Sequence, residues 1–170
     1  WRDGRTSGAV RRFRERLGFG KLTYQPRAGQ TLDVSYNVRN EDDVRDFGAQ
    51  TSFEAASDLD NRVDSILGRW QLPGNASLNE LTFTVQRSNW RQHPLNPNLV
   101  GIDYEGVIRV GGRDSTQAFT QSRFSLRNDY TRHIQWRGAH LVKTGAVFSL
   151  LDYGVSKQLF GNPLFRVRSS

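Results

Sequence analysis

The stretch Thr31-Leu32-Asp33-Val34-Ser35-Tyr36-Asn37-Val38-Arg39 decides the fold class. Leu32, Val34, Tyr36 and Val38 fall at every second position, with Thr31, Asp33, Ser35, Asn37 and Arg39 between them. Side chains of an extended chain point alternately to its two sides, so a period of two specifies a strand with one apolar and one polar face. Residues 80–87 repeat the pattern, with Leu81, Phe83 and Val85 opposite Glu80, Thr82, Thr84 and Gln86. Residues 123–130 set Phe124, Leu126 and Tyr130 against Arg123, Ser125, Arg127 and Asp129, and Asn128 is the one polar residue on the apolar side. Weaker copies lie at 19–25, 64–72 and 140–151, where Leu67, Val147 and Leu151 break the alternation and loosen the register. No helical stripe is present. Strands are expected near 19–25, 31–39, 64–72, 78–91, 118–132 and 140–151. The expected fold is all-β, an antiparallel up-and-down meander of six to seven long strands forming one region over 1–170.

The connections alternate in length. Pro26-Arg27-Ala28-Gly29, Pro73-Gly74-Asn75-Ala76 and Arg137-Gly138 carry the chemistry of tight turns between antiparallel neighbours. Between them lie polar excursions at 40–62 and 92–117, expected as loops. Short turns at one end and long loops at the other describe a transmembrane β-barrel of the outer membrane. Tyr24, Trp70 and Trp136 each sit within a few residues of a tight turn, where an aromatic belt at a lipid interface would lie. The strands, about 9–13 residues long, fit the ~9–11 residues needed to cross a bilayer on a tilt and exceed the usual soluble strand.

Composition excludes other classes. Of 170 residues, 24 are Lys or Arg and 17 are Asp or Glu, giving a net charge of +7; Cys and Met are absent. Without Cys there is no disulfide framework, thiolate zinc site or Cys nucleophile. Leu, Ile, Val and Phe make up a quarter of the residues, enough to order a chain, yet no apolar run approaches the ~18 residues of a membrane-spanning helix. Charge is uneven, with basic residues concentrated in 1–17 and carboxylates in 40–64, so total charge says little about partners. The start at Trp1-Arg2-Asp3-Gly4, without an initiator Met or an apolar signal core, reads as that of a processed chain or an excised piece.

The apolar faces hold Leu32, Val34, Tyr36, Phe83, Val85, Leu126 and Phe148 and no charge at mid-strand, as lipid exposure demands. The polar faces hold Asp33, Arg127 and Lys143, expected to face a water-filled lumen.

Gly18-Phe19-Gly20-Lys21-Leu22-Thr23-Tyr24-Gln25-Pro26 resembles a strand and periplasmic turn in the barrels of TonB-dependent outer-membrane receptors, particularly the Oar-like group with a carboxypeptidase-regulatory-like amino-terminal module. His140-Leu141-Val142-Lys143-Thr144-Gly145-Ala146-Val147-Phe148 is similar to another strand of that family, and Ser122 to Tyr130 followed by Arg137-Gly138 to the strand and turn before it. The resemblance covers residues 18–151 and implies a partial barrel of a Gram-negative outer-membrane nutrient transporter, with 22 strands, a plug and energy from TonB in the whole. The implied partners are outer-membrane lipid, lipopolysaccharide, the TonB complex through a missing amino-terminal part, and an unidentified transported ligand. This chain departs from the family in showing six or seven strands, no region resembling a plug domain or TonB box, and an end at Arg168-Ser169-Ser170 without the terminal aromatic of complete barrels, as expected of an internal piece.

Candidate sites are few. Asn40-Glu41-Asp42-Asp43-Val44-Arg45-Asp46 concentrates hard oxygen ligands, and Asp42, Asp43 and Asp46 form a weak Ca²⁺ candidate; without EF-hand spacing, a solvated acidic loop is the plainer reading. Arg11-Arg12-Phe13-Arg14-Glu15-Arg16 has the charge to grip phosphate of nucleic acid or lipopolysaccharide, and reads more simply as a loop-to-strand junction. His93, His133 and His140 have no ligand spacing, and no Gly-x-Ser-x-Gly elbow, Walker or Rossmann pattern occurs. Neither enzyme activity, a cofactor nor a nucleic-acid partner is expected. The rival readings are a complete eight-stranded outer-membrane barrel with a structural or adhesion role, and a soluble basic β-protein that binds nucleic acid through a basic groove interleaved with aromatics.

Overall fold

A computed structural model describes residues 11–168. The expectations that rest on Trp1-Arg2-Asp3-Gly4, on the Arg residues before Arg11 and on Ser169-Ser170 lie outside the described residues. In chain order the strands are β1 (Phe13–Tyr24), β2 (Thr31–Arg45), β3 (Ser57–Gly74), β4 (Ser77–Pro94), β5 (Gly101–Tyr104), β6 (Ile108–Gly111), β7 (Thr116–Gln135), β8 (Ala139–Gln158) and β9 (Leu164–Val167). One sheet has the order β1-β2-β3-β4-β7-β8, every neighbour antiparallel. The fold is an all-β antiparallel meander of six long strands, and the one helical element among the described residues is a 3-10 turn at Phe53–Ala55.

All six long strands are longer than expected, β1 by extension at its start alone. Asn40 to Arg45 belongs to β2 and Ser57 to Arg62 to β3, so the loop expected at 40–62 contracts to 46–56. The excursion expected at 92–117 holds the β5–β6 hairpin. Apolar alternation stops near Val38, but the backbone ladder continues through residues polar on both sides, because strand pairing needs only that backbone groups meet. Hydropathy periodicity therefore marks the part of a strand that has one apolar face, not its full length.

Residues directly opposite each other share a face. Leu22, Val34, Gly68, Phe83, Leu126 and Phe148 stand in one line across the sheet, and Tyr24, Leu32, Trp70, Leu81, Asn128 and Ala146 form the adjacent line. Gly20, Tyr36, Ile66, Val85, Phe124 and Leu150 form the line on the other side. The one polar member, Asn128, donates its Nδ2–H to Asn79 Oδ1 at 2.9 Å on the same face. Gly68 has a packing reason: the ring of Phe83 lies where a side chain on residue 68 would stand. Leu67, Val147 and Leu151, which broke the alternation, lie on the opposite face beside Ser35, Arg127 and Arg123.

The buried apolar core is small and sits at the long-loop end, where Val44, Ala55, Ala56 and Leu59 pack. There β5 pairs with β6 antiparallel and with β9 parallel, and the 46–56 connection is tied to β6 by Ser52 N–H to Arg109 O at 2.9 Å and Arg109 N–H to Gln50 O at 2.7 Å. Over the three apolar lines nothing packs among the described residues: Leu22 is 68 % and Phe148 56 % exposed.

Candidate functional site

The sheet has two chemically different faces, and their geometry is the candidate site. The apolar face carries the three lines above. One line further toward the loops it turns polar, with Val38, Asp64, Arg87, Ser122 and Asp152, and then Arg16, Asn40, Arg62, Asn89 and Thr120. The expected absence of charge at mid-strand therefore holds only for the lower half, since Asp64 and Arg87 fall inside strands longer than anticipated. Tyr36 bridges the change, its hydroxyl donating to Asp64 Oδ1 at 2.8 Å.

Tyr24 and Trp70 stand in the same line of the apolar face, at its short-turn margin, both exposed. Trp136 lies in the β7–β8 hairpin, also exposed, with the Arg137 guanidinium 5.8 Å from its ring centre. The three aromatics thus sit at one end of the sheet. The apolar stretch and the turns are staggered: apolar positions reach up to Val38 on β2 and down to Val142 on β8, so the belt crosses the strands obliquely.

Asp33 and Arg127 share one line of the polar face, Thr23-Asp33-Arg69-Thr82-Arg127, and Lys143, opposite Thr131, lies on the same face nearer the turns. Around them, charges of opposite sign are paired on this face. Asp33 accepts from Thr23 Oγ1 at 2.5 Å and faces Lys21 Nζ at 3.1 Å. Glu80 accepts from Arg69 and from Gln71 Nε2, and Arg127 Nε donates to Asp129 Oδ2 at 2.6 Å. Glu80 and Asp129 stand directly opposite, a repulsive placement that the two Arg partners offset.

The three carboxylates of the Ca²⁺ candidate are not brought together. Asp42 and Asp43 are consecutive residues of β2, so their side chains leave the strand on opposite faces and cannot converge on one ion. Asp46 accepts instead from Gln92 Nε2 at 2.5 Å and pairs with Arg113 at 3.0 Å. Among the described residues no three carboxylates or imidazoles come together. Asp43 is buried and fully engaged, by Arg11 Nε at 3.0 Å, Arg11 Nη2 at 2.5 Å and Arg45 Nε at 2.6 Å. The Arg11 hydrogen bonds hold its carboxyl below the usual carboxylate range against the opposing effect of burial, with Arg45 adding to the lowering. Glu41, two residues back on the same face, takes Arg39, Arg45 and Asn61 at 3.0, 2.9 and 3.3 Å. The Arg11–Arg16 segment is thus a loop-to-strand junction whose first cation neutralises the acidic run.

Sequence reasoning passed over one further group on the polar face. Trp90 and Phe119 stand directly opposite on β4 and β7, ring centres 5.1 Å apart at 60°. The parity that puts Gln86 on the polar face, extended four residues along β4, would have found Trp90. Comparison with known protein families, with characterised proteins and with solved structures yields no match.

Proposed function

We propose that this chain is part of the wall of a TonB-dependent outer-membrane transporter barrel, in the outer membrane of a Gram-negative cell, serving nutrient uptake. One observation carries the reading: three successive apolar lines run across six strands with nothing packed on them among the described residues, back to back with a polar face of paired charges. In water a patch of this extent would be covered, since exposed apolar patches on soluble proteins rarely exceed a few hundred Å². Hydrocarbon satisfies the outer side, and water within a closed wall satisfies Asp33, Arg69, Glu80 and Arg127 on the inner side. The oblique course of the belt agrees with strands tilted as closure of a barrel requires. Tyr24, Trp70 and Trp136 then mark the periplasmic interface, and the charged half beyond Val38 projects outside toward lipopolysaccharide.

Transport, the TonB complex and the plug follow from the family resemblance, and the wall contributes a passive inner surface. The absence of cysteine permits a clean test. Single cysteines replacing Val34, Leu126, Ser35 and Ser125 are introduced into the protein embedded in lipid. A membrane-impermeant maleimide is expected to label Ser35→Cys and Ser125→Cys and to leave Val34→Cys and Leu126→Cys unlabelled until detergent is added. Equal labelling of all four in lipid overturns the assignment.

A further inference from the structure

We propose that the polar face beyond the belt, centred on Trp90, is a recognition surface for a neutral oligosaccharide. The inference rests on that face being the inner surface of the wall.

Three consecutive lines of β4 and β7 carry it. The central line pairs Trp90 with Phe119; the line above pairs Gln92 with Gln117, and the line below pairs Ser88 with Gln121. An aromatic line therefore lies between two lines of amides and a hydroxyl. All six side chains are half-buried, so they are partly fixed and still reachable. Gln117, Gln121 and Ser88 have no side-chain hydrogen-bond partner among the described residues, while Gln92 is held by Asp46. Phe119 holds Trp90 edge to face on one side, and Lys157 Nζ in turn lies 5.4 Å from the Phe119 ring centre. Such contacts keep the indole in place at low entropic cost on binding.

Chemistry selects the ligand. A pyranose presents a face of weakly positive C–H bonds, which stacks on the negative face of an aromatic ring, and a rim of hydroxyls that pair with amide donors and acceptors. Aromatic ring and flanking amides are what that combination needs. With lines about 6.6–6.8 Å apart and strands about 4.8 Å apart, the patch accommodates two to three sugar units. An anionic ligand is disfavoured, because the nearby charges are already matched, Glu15 with Arg39 and Glu41 and Asp43 with Arg45. A nucleic acid would need a cationic track beside the ring, and on these lines the free cation is Lys157 alone among the described residues.

The test is calorimetric titration of the detergent-solubilised protein with maltohexaose, cellohexaose, xylohexaose and mannohexaose, alongside a heparin hexasaccharide and a ten-nucleotide oligothymidine. At least one neutral hexasaccharide is expected to bind with a Kd between about 10 µM and 1 mM. Trp90→Ala is expected to weaken it about tenfold or more, Gln121→Ala about threefold, while Trp90→Phe and the distant Trp136→Ala stay near the parent value. Circular dichroism of each variant confirms that the sheet is intact. No binding by any of the four, equal binding by a folded Trp90→Ala, or tighter binding of heparin or oligothymidine overturns the proposal. Sugar binding with Val34→Cys and Leu126→Cys open to water would sink the barrel reading instead; shielded cysteines without sugar binding sink this one alone.

Discussion

At the scale of single residues, two placements have measurable consequences. Gly68 is buried beneath the Phe83 ring, so Gly68→Ala forces the ring aside and is expected to destabilise the folded protein by about 1–3 kcal/mol. Phe83→Ala removes the obstruction, and the double variant is expected to lose less than the sum of the two single changes; thermal unfolding of all three in detergent reads the coupling. Asp43 supplies the acid dependence. Its carboxyl is held low in the folded state by Arg11 and Arg45, so folding favours its ionised form. That contribution is complete above the unfolded carboxylate value of about 3.9 and is lost as the pH falls through the lower folded value. Asp43→Asn is expected to unfold more easily at pH 7 and to show a shallower loss of stability in acid, measured by denaturant titration at a series of pH values. An unchanged acid slope would show that other carboxylates dominate.

At the scale of elements, the hairpin of β7 and β8 turns on Arg137 and Gly138, whose φ angles are 50° and 141°. A side chain at position 138 is strained whatever the space around it, so Gly138→Ala is expected to cost about 1–3 kcal/mol, whereas Arg137→Asn, a residue that tolerates the left-handed region, is neutral or mildly stabilising. Unfolding midpoints compare the two. Gly138 was legible as part of a turn because few residues meet such a backbone demand, whereas Pro73 and Gly74, expected in a turn, close β3 and leave the turn to Asn75-Ala76. Strand ends were not: at Asn40–Arg45 and Ser57–Arg62 both faces are polar, and a period of two in hydropathy vanishes when neither side is apolar. The acidic run was misread as a loop for that reason. Its opposing Asp42 and Asp43 also show why adjacent carboxylates on a strand make a poor metal site.

At the scale of the whole molecule, the difference between the faces sets what substitutions the sheet tolerates. Leu126 and Ser125 are neighbours in sequence on opposite faces. Leu126→Arg places a cation in the apolar belt and is expected to cost about 2–4 kcal/mol, with a sharp fall in membrane-assembled protein; Ser125→Arg, in the polar lining, is expected to leave assembly near the parent level. Quantifying folded protein in isolated membranes distinguishes them, and equal tolerance would mean that the apolar face does not meet hydrocarbon. The outer strands of the sheet, β1 and β8, each present one unpaired edge among the described residues, which further strand pairing must satisfy in a membrane.

Alternation was enough to establish the all-β class, a meander of six to seven long strands and the sorting of Asp33, Arg127 and Lys143 away from Val34, Leu126 and Phe148, and Pro and Gly chemistry added the tight turns. That information is local, because which side of an extended chain a residue occupies depends only on its parity. Tertiary structure decided the rest: the full strand lengths, the lines that join Leu22 to Phe148, the burial of Asp43 under Arg11, and the meeting of Trp90 with Phe119. Each of these depends on register between segments far apart in sequence, and register comes from backbone pairing and packing across the sheet, which no single stretch of residues contains.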